Sequence, residues 1–456
     1  MVVRNSAQLL NHGCSELRRT ALDIVEYALR AADPYHAVKQ LVHLDGQQLT
    51  VGDLSYDLSQ RGAIYVLGAG KATLRIVEAL EDILGSCIKQ GLIAIKRGQP
   101  HHLKYVRVIE AGHPLPDEAS YRVGREQMAL ARSALAGDIV ITAVTGGSSA
   151  LLCYPAEGMT LEEKRQVHEL LLTCGANIME INAVRKHLSQ VKGGLLAQAA
   201  LPAELINLTV SDVVRDPLDY ICCPVVPDTS HVADAVDVLQ RYDLWNRVAP
   251  SVRAHLGRGA AAETPKELDK QLVHTFVLVP LSAASNAASV RASELGFSPL
   301  YLSSTLTGES REVGACLGAI AREITDSGRP VAAPCAVVAC GETTVTVPEG
   351  SGTGGPSQEL AASIAMQIDG LPQTVVVCLD TDGTDGPTEF AGGMVDGSTA
   401  GCAGELGFDL PRILKAHNVT PLLQAVGDIA VTGSTGTNVA DLILMLVGAH
   451  AAPGSA

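Results

Sequence analysis

The sequence predicts an α/β protein of two domains, and three observations carry that expectation. Short runs of valine, isoleucine and leucine recur along the chain, each emptying into a glycine turn that opens a helical pattern. The 456 residues are too many for one ordinary core, and 47% hydrophobic against 18% charged residues gives apolar mass enough for two. Only 3% of residues are aromatic while 44 are glycine, so the core is built from Ala, Val, Leu and Ile and the connections are tight strand–turn–helix joints.

The elements follow in order. Leu17, Ala21, Ile24, Val25, Ala28 and Leu29 recur at helical spacing up to a break at Pro34, giving an entry helix and a second short one. Ala63–Leu67 is an apolar run followed by Gly68-Ala69-Gly70-Lys71-Ala72 and a helical pattern through Leu80. The dinucleotide fingerprint needs a third glycine where Thr73 stands, and the phosphate loop needs one where Tyr65 stands, so neither motif is present. What is present is a helix start with one ammonium beside it, a competent anion site. A lysine merely solvated at a helix start is the plainer alternative.

Leu92–Ile95 and Val106–Ile109 are further strands, and the second runs into a turn where His113 suits a structural or a catalytic part equally. Ile139–Val144 ends in Thr145-Gly146-Gly147-Ser148-Ser149, a second glycine turn whose N–H and hydroxyl groups suit a phosphate or a carboxylate. An ordinary helix cap accounts for one serine as well. Helical pattern resumes over Thr160–Thr173 and across Ile181–Ala200, which carries Arg185, Lys186, His187 and Lys192. A solvated face is the simpler reading of those cations and an anion contact the sharper one. Leu205–Val210 then delivers Ser211-Asp212-Val213-Val214-Arg215-Asp216. The proline-bounded, polar stretch Pro227–Pro265 marks a domain change, drawn between residues 1–245 and 246–456.

Beyond it, Thr275–Val279, Ser285–Leu295, Pro299–Leu302, Ser310–Thr325 and Cys335–Cys340 alternate strand and helix, a second α/β domain. The last of these continues through Gly341-Glu342 to Val347. The loop Gly350-Ser351-Gly352-Thr353-Gly354-Gly355-Pro356-Ser357-Gln358 is richer in glycine than structure alone requires, and it enters a helix. Thr374–Gly386, TVVVCLDTDGTDG, reads as a buried parallel strand emptying into Asp380, Asp382 and Asp385 on a tight glycine turn. Carboxylates gathered there repel one another unless a cation sits among them, and Mg²⁺ fits. The alternative is a solvated Asx-rich turn. A calcium loop is excluded, because Asp385 stands where it needs glycine and Ala391 where it needs glutamate. Last, Thr432-Gly433-Ser434-Thr435-Gly436-Thr437-Asn438 is another hydroxyl-and-glycine loop before an apolar segment.

A formal net charge of −15 argues against nucleic acid and anionic membranes as partners, while leaving room for a small anionic substrate held by a local cationic cluster. Eleven scattered cysteines read as reduced thiols. No apolar run approaches the roughly 18 residues of a membrane span. Arg4, Arg18 and Arg19 suit an organellar leader, which Glu16 and Asp23 oppose, so the expected compartment is the cytoplasm.

GAGKA at 68–72, AGHPLPD at 111–117, TGGSSALL at 145–152, VRKHLSQVKGG at 184–194, SDVVRDPLD at 211–219, GETTV at 341–345, GTGG with QEL at 352–360, DTDGTDGP at 380–387 and TGTNVADL at 435–442 occur in this order. By these the chain closely resembles the class II glycerate kinases, the glycerate 2-kinase family with a MOFRL domain. The resemblance spans nearly the whole chain. It implies an N-terminal Rossmann-like αβα domain, a smaller C-terminal MOFRL-like α/β domain and an active site in the cleft between them. It implies an ATP- and Mg²⁺-dependent kinase converting D-glycerate to 2-phosphoglycerate, and it matches Lys71 to the family's catalytic lysine; a monomer or homodimer is expected.

Three departures stand out. Pro356 replaces an arginine of the family's GGRNQE, Cys222-Cys223 fall within its ASGP segment, and Arg215 replaces a glycine. Arg215 is a candidate replacement charge for the missing arginine.

The expected site follows. Lys71, Asp212, Asp382 and Asp385 are the catalytic candidates, and the three acids are also the metal candidates. Gly68, Gly70, Gly146, Gly147, Ser148, Ser149, Arg185 and Lys192 would bind substrate or phosphate from the first domain. Glu342, Gly354, Gly355, Gln358 and Asn438 would do so from the second. Two other functions fit parts of the pattern. One is a non-catalytic or substrate-shifted relative, suggested by Pro356 and Cys222-Cys223. The other is a hydroxypyruvate reductase, a label the family sometimes carries and one opposed by Thr73.

Overall fold

The structure, a computed structural model, describes residues 1–210, 218, 223–348 and 350–449. Two compact units emerge: Pro34–Val279 is continuous, whereas Met1–Asp33 and Pro280–Ala456 together make the other. The division therefore falls at 33/34 and 279/280, not at the expected 245/246.

The continuous unit opens with an antiparallel meander, β1 Val42–Asp45, β2 Gln48–Val51 and β3 Leu54–Asp57. Its two-residue loops close between Asp45 and Gln48 and between Val51 and Leu54. Six strands follow: β4 Ile64–Ala69, β5 Ile88–Lys96, β6 Val106–Ala111, β7 Ile139–Thr145, β8 Glu204–Val210 and β9 Val273–Val279. They form one all-parallel sheet in the order β6-β5-β4-β7-β8-β9. Counted along the chain that order is 3-2-1-4-5-6, the doubly wound arrangement whose direction reverses between its first and fourth strands. Here the reversal lies between β4 and β7, and both end in the glycine turns singled out above. Every residue of β4, β7 and β8 is buried, because helices cover both faces of a parallel sheet. The proline-bounded stretch is a helical annex of this unit: Val232–Arg241 packs on Ile178–His187 around Val167, Val184, Val238, Leu239 and Val252. Its polarity marked a surface layer, and the strand after it, β9, still pairs with β8.

The discontinuous unit has a mixed sheet of β10 Ser298–Glu309, β11 Cys335–Thr344, β12 Thr374–Asp380, β13 Gly392–Asp396, β14 Ile429–Ala430 and β15 Asp441–Val447. The order is β10-β11-β15-β12-β13-β14, and only β10 and β11 run parallel. The expectation of a parallel strand at Val375–Leu379 is thus corrected, since β12 is antiparallel to both neighbours. Its unbroken apolar run reports burial on two faces and says nothing of direction. Val376 and Cys378 pack with helix Pro356–Gln367, and helices Ser15–Ala31 and Ala283–Glu294 cover the sheet as well.

The N-terminal helix is held by a buried ionic staple. Arg18 Nε lies 2.6 Å from Asp396 Oδ2 and its Nη1 2.8 Å from Asp428 Oδ1, and all three side chains are buried. Ser398 and Thr399 hydroxyls and the Cys14 N–H fill remaining carboxylate positions. Among the described residues no disulfide ties ten free cysteines, and no helix is long and apolar enough to cross a membrane.

Candidate active site

In the continuous unit the turns after β4 and β7 are laced together. Lys71 N–H donates to the Gly146 carbonyl at 2.8 Å, and Ala72 N–H to Thr145 Oγ1 at 3.1 Å. Gly70 has φ +145°, and a Cβ there would stand 2.0 Å from Thr145 Oγ1, so no side chain fits between the turns. Gly147 is left-handed at φ +85° and opens the short helix Ser148–Leu151. A Cβ at Gly147 would lie 3.1 Å from Lys71 Cγ and 3.4 Å from the His113 ring. Lys71, Gly147 and His113 therefore meet at one point, at the carboxyl edge of the sheet's switch, where open α/β sheets bind ligands. Gly68 is placed differently from expectation. It lies inside β4 with its carbonyl held by Gln127 Nε2 at 2.7 Å, so it is a packing residue.

The cations of 185–192 are not a solvated face. The helix stops at His187, and Gly193-Gly194, both at positive φ, turn the chain before Leu195–Ala200. Lys186 is 2% and His187 1% exposed. Lys186 pairs with Asp228 at 2.5 Å and His187 with Glu263 at 2.7 Å. Lys192, also buried, reaches the carbonyls of Ser148 and Leu152 at 3.4 and 3.1 Å. These contacts hold it to the short helix Ser148–Leu151, whereas contact with a ligand was expected of it. Arg185 is half-buried, with Nη2 2.8 Å from His168 Nε2. Burial, then Arg185, Lys192, Lys164 and His113, hold the His168 pKa down at about 3.

In the discontinuous unit the three acids after β12 do not share a centre. Asp385 turns inward to the helix Pro356–Gln367. Its Oδ1 accepts from Ser357 N–H at 3.0 Å, and its Oδ2 from Gln358 N–H and Nε2 at 2.8 and 3.0 Å. Burial raises its pKa to about 7 against the pull of those donors. A carboxylate held so by first-turn N–H groups anchors a helix start. Gln358 is likewise consumed: its amide donates to Asp385 and Thr388, its oxygen accepts from Thr420 at 2.6 Å, and it has no exposure. Both residues are supports, a correction to their expected contact with ligand. Gly355 packs under this anchor, where a Cβ would fall 2.3 Å from Asp385 Cγ, and Gly354 packs beside Val419. Pro356 is the first residue of the helix, the position where its missing N–H and fixed φ suit it. Asp382 Oδ1 accepts from Thr384 N–H and Oγ1, both at 2.7 Å, and the Asp382 carbonyl takes the Thr435 N–H.

The acids that do gather were largely missed. Asp441, first residue of β15, is in register with Asp380 and with Gly341, whose neighbour Glu342 is exposed at the end of β11. Asp441 is buried, and its Oδ2 has no hydrogen-bond partner. Burial, then Asp380, Asp385 and Glu342, push its pKa well above the carboxylate range. Asn438 is buried three residues before it, and Ala440 between them is left-handed at φ +61°, a strain that non-glycine residues seldom bear. The sequence signal was an acid opening one apolar run as Asp380 closes another.

Among the described residues no three His, Cys, Asp or Glu side chains form a cage for a metal ion. The orphaned Asp441 oxygen beside Asp380 instead fits an ion that takes one or two carboxylates and fills its shell with water and phosphate oxygens, as Mg²⁺ does. Asp212, Arg215 and Cys222 lie outside the described residues.

Comparison with known proteins adds the family. The model "Domain of unknown function (DUF4147)" matches residues 20–257 and the MOFRL family model matches 335–441. The chain is 40% identical to the glycerate 2-kinase of Pyrococcus horikoshii, covering 95% of this chain and 98% of that one. It is 31% identical to human glycerate kinase, over 94% and 93% of the two chains. The solved structure of glycerate kinase from Thermotoga maritima matches with a TM-score of 0.80 and 36% identity, covering 95% of this chain and 99% of that one. Similarity of this depth along both units means that the chain belongs to the glycerate 2-kinase family that carries the MOFRL domain.

Proposed function

We propose that this chain transfers the γ-phosphoryl group of ATP to the 2-hydroxyl of D-glycerate, giving 2-phosphoglycerate. Phosphoryl transfer asks the protein mainly for placement and for charge stabilisation. The Lys71 ammonium neutralises charge on the transferring group, and the turn Gly146–Ser149 offers N–H and hydroxyl donors to an anion. Asp441 and Asp380 are the carboxylates that would hold Mg²⁺. When bound, that ion would offset the charge of the phosphoryl groups. Asp212 and Asp382 are the candidates for accepting the hydroxyl proton. The observation that carries the reading is the meeting of Lys71, Gly147 and His113 at the switch between β4 and β7, in a chain of this family.

The test is ADP release with D-glycerate, ATP and Mg²⁺, run beside NADH oxidation with hydroxypyruvate. ADP release dependent on D-glycerate supports the kinase. NADH oxidation without it makes the chain a reductase, and neither activity makes it a binding protein.

A further inference from the structure

The first five residues belong to no part of the reaction assigned so far, yet they are fastened to the loops that carry the acids. Val2 and Val3 N–H groups donate to the two carboxylate oxygens of Glu26 at 2.8 and 2.7 Å. Arg4 N–H donates to the Val431 carbonyl at 2.7 Å. Asn5 binds the same stretch, its Nδ2 reaching the Ile429 carbonyl at 2.8 Å and its Oδ1 accepting from Val431 N–H at 3.0 Å. The main chain on both sides of Arg4 is thus fixed.

The Arg4 side chain runs on to Gly433. A Cβ on Gly433 would fall 2.5 Å from the guanidinium carbon and 2.6 and 2.7 Å from its two terminal nitrogens. Distances so nearly equal put that point over the flat face of the group, so the guanidinium lies face-on against the glycine. Any side chain there would displace it, and the left-handed φ of +66° favours glycine as well. With one face packed, the N–H groups along its edges are left to bind, and they form the fork that matches phosphate oxygens. Arg4 is exposed, and among the described residues no carboxylate pairs with it.

Gly433 also stands against the acidic turn. Its carbonyl lies 1.9 Å from where a Cβ of Gly383, the neighbour of Asp382, would be. Two residues on, Thr435 N–H donates to the Asp382 carbonyl at 3.2 Å and Thr435 Oγ1 to the Thr381 carbonyl at 2.5 Å. Thr381 N–H and Oγ1 in turn reach the carbonyl of Ala440, the residue before Asp441, at 3.2 and 2.7 Å. A chain of hydrogen bonds thus joins the seat of Arg4 to the segments bearing Asp380, Asp382 and Asp441.

Resting on the kinase reading above, we propose that Arg4 binds the triphosphate of ATP beside the carboxylates that would hold Mg²⁺. ATP carrying one divalent ion is still an anion, and at Asp380 and Asp441 it would meet more charge of its own sign. A guanidinium seated on the loop bonded to Asp382 offsets that charge, and its fork binds two phosphate oxygens at once.

The experiment is calorimetric binding of ATP with Mg²⁺ to the full chain, together with steady-state kinetics for ATP and D-glycerate. Arg4→Gln is expected to raise Kd and KM for ATP about 30-fold, the cost of losing charge-assisted hydrogen bonds, and to leave KM for D-glycerate within about threefold. Arg4→Lys, which keeps the charge without the fork, gives an intermediate loss. Arg19→Gln, which removes an exposed arginine from the helix that follows, leaves both constants at the parent values.

An unchanged Kd for ATP in Arg4→Gln overturns the assignment, and so does an equal rise in KM for D-glycerate. A weaker Kd accompanied by a large fall in melting temperature makes Arg4 structural and overturns it too. If the parent chain binds ATP in an Arg4-dependent way without releasing ADP in the presence of D-glycerate, the kinase reading fails and this one stands. If it releases ADP and Arg4→Gln binds ATP as the parent does, the kinase reading stands and this one fails. A parent chain that binds no ATP overturns both.

Discussion

Lys71 carries a charge just before the helix Thr73–Leu84, at an end that favours anions. Its backbone is locked by Gly146 independently of the side chain. Lys71→Ala is therefore expected to leave the melting temperature within a few degrees and to lower phosphorylation of D-glycerate by about 10³-fold or more, read by ADP release; substantial retained turnover would remove the lysine from the reaction. Asp441→Asn is expected to weaken the Mg²⁺ dependence of turnover by about 100-fold, read by titrating the metal in the same assay. An identical titration curve would exclude Asp441 as its ligand. At this scale the sequence was partly legible. Glycine turns announced Gly70 and Gly147 because backbone demands are written in residue type. Asp385 and Gln358 misled because an acid after a strand reads the same whether it faces a ligand or a helix end.

The staple at Arg18 sets the stability of the N-terminal element. Arg18→Met would leave Asp396 and Asp428 buried without their cation, a loss of about 3–5 kcal/mol, measurable by denaturant unfolding; a change below about 1 kcal/mol would mean water or His12 replaces the guanidinium. Burial alone would raise the Asp396 pKa, but Arg18, Ser398 and the Cys14 N–H bring it down to about 2. A carboxylate depressed from 3.8 to about 2 adds stability above pH 4 and loses it as pH falls through that window. Thermal denaturation from pH 5 to pH 2 should show this loss in the parent chain. Arg18→Met should flatten it, and parallel curves would refute the assignment. Helices and strands were read well where apolar period and a terminating glycine agreed, as in β4 and β7. The meander β1–β3 went unread because its strands are four residues long and mixed in polarity. The orientation of β12 went unread because pairing partners are a property of the whole sheet.

The two units were foreseen, but not their limits. Composition locates surface layers, and the polar prolines of 227–265 mark one; whether the chain leaves a unit is decided by pairing such as β9 with β8. Deleting residues 1–33 is expected to lower the melting transition of the unit containing β10–β15 and to spare that of Pro34–Val279. Differential scanning calorimetry separates these outcomes, and a single unchanged transition would contradict the division.

That division also sets an order of events on the ribosome. Pro34–Val279 can complete its sheet as soon as β9 has emerged, while the helix Ser15–Ala31, synthesised earlier, still lacks Asp396 and Asp428. A helix made early is thus among the last to dock. Until the end of the chain is translated, its apolar stripe of Leu17, Ile24, Val25 and Ala28 needs shelter that the finished protein supplies and the nascent one does not.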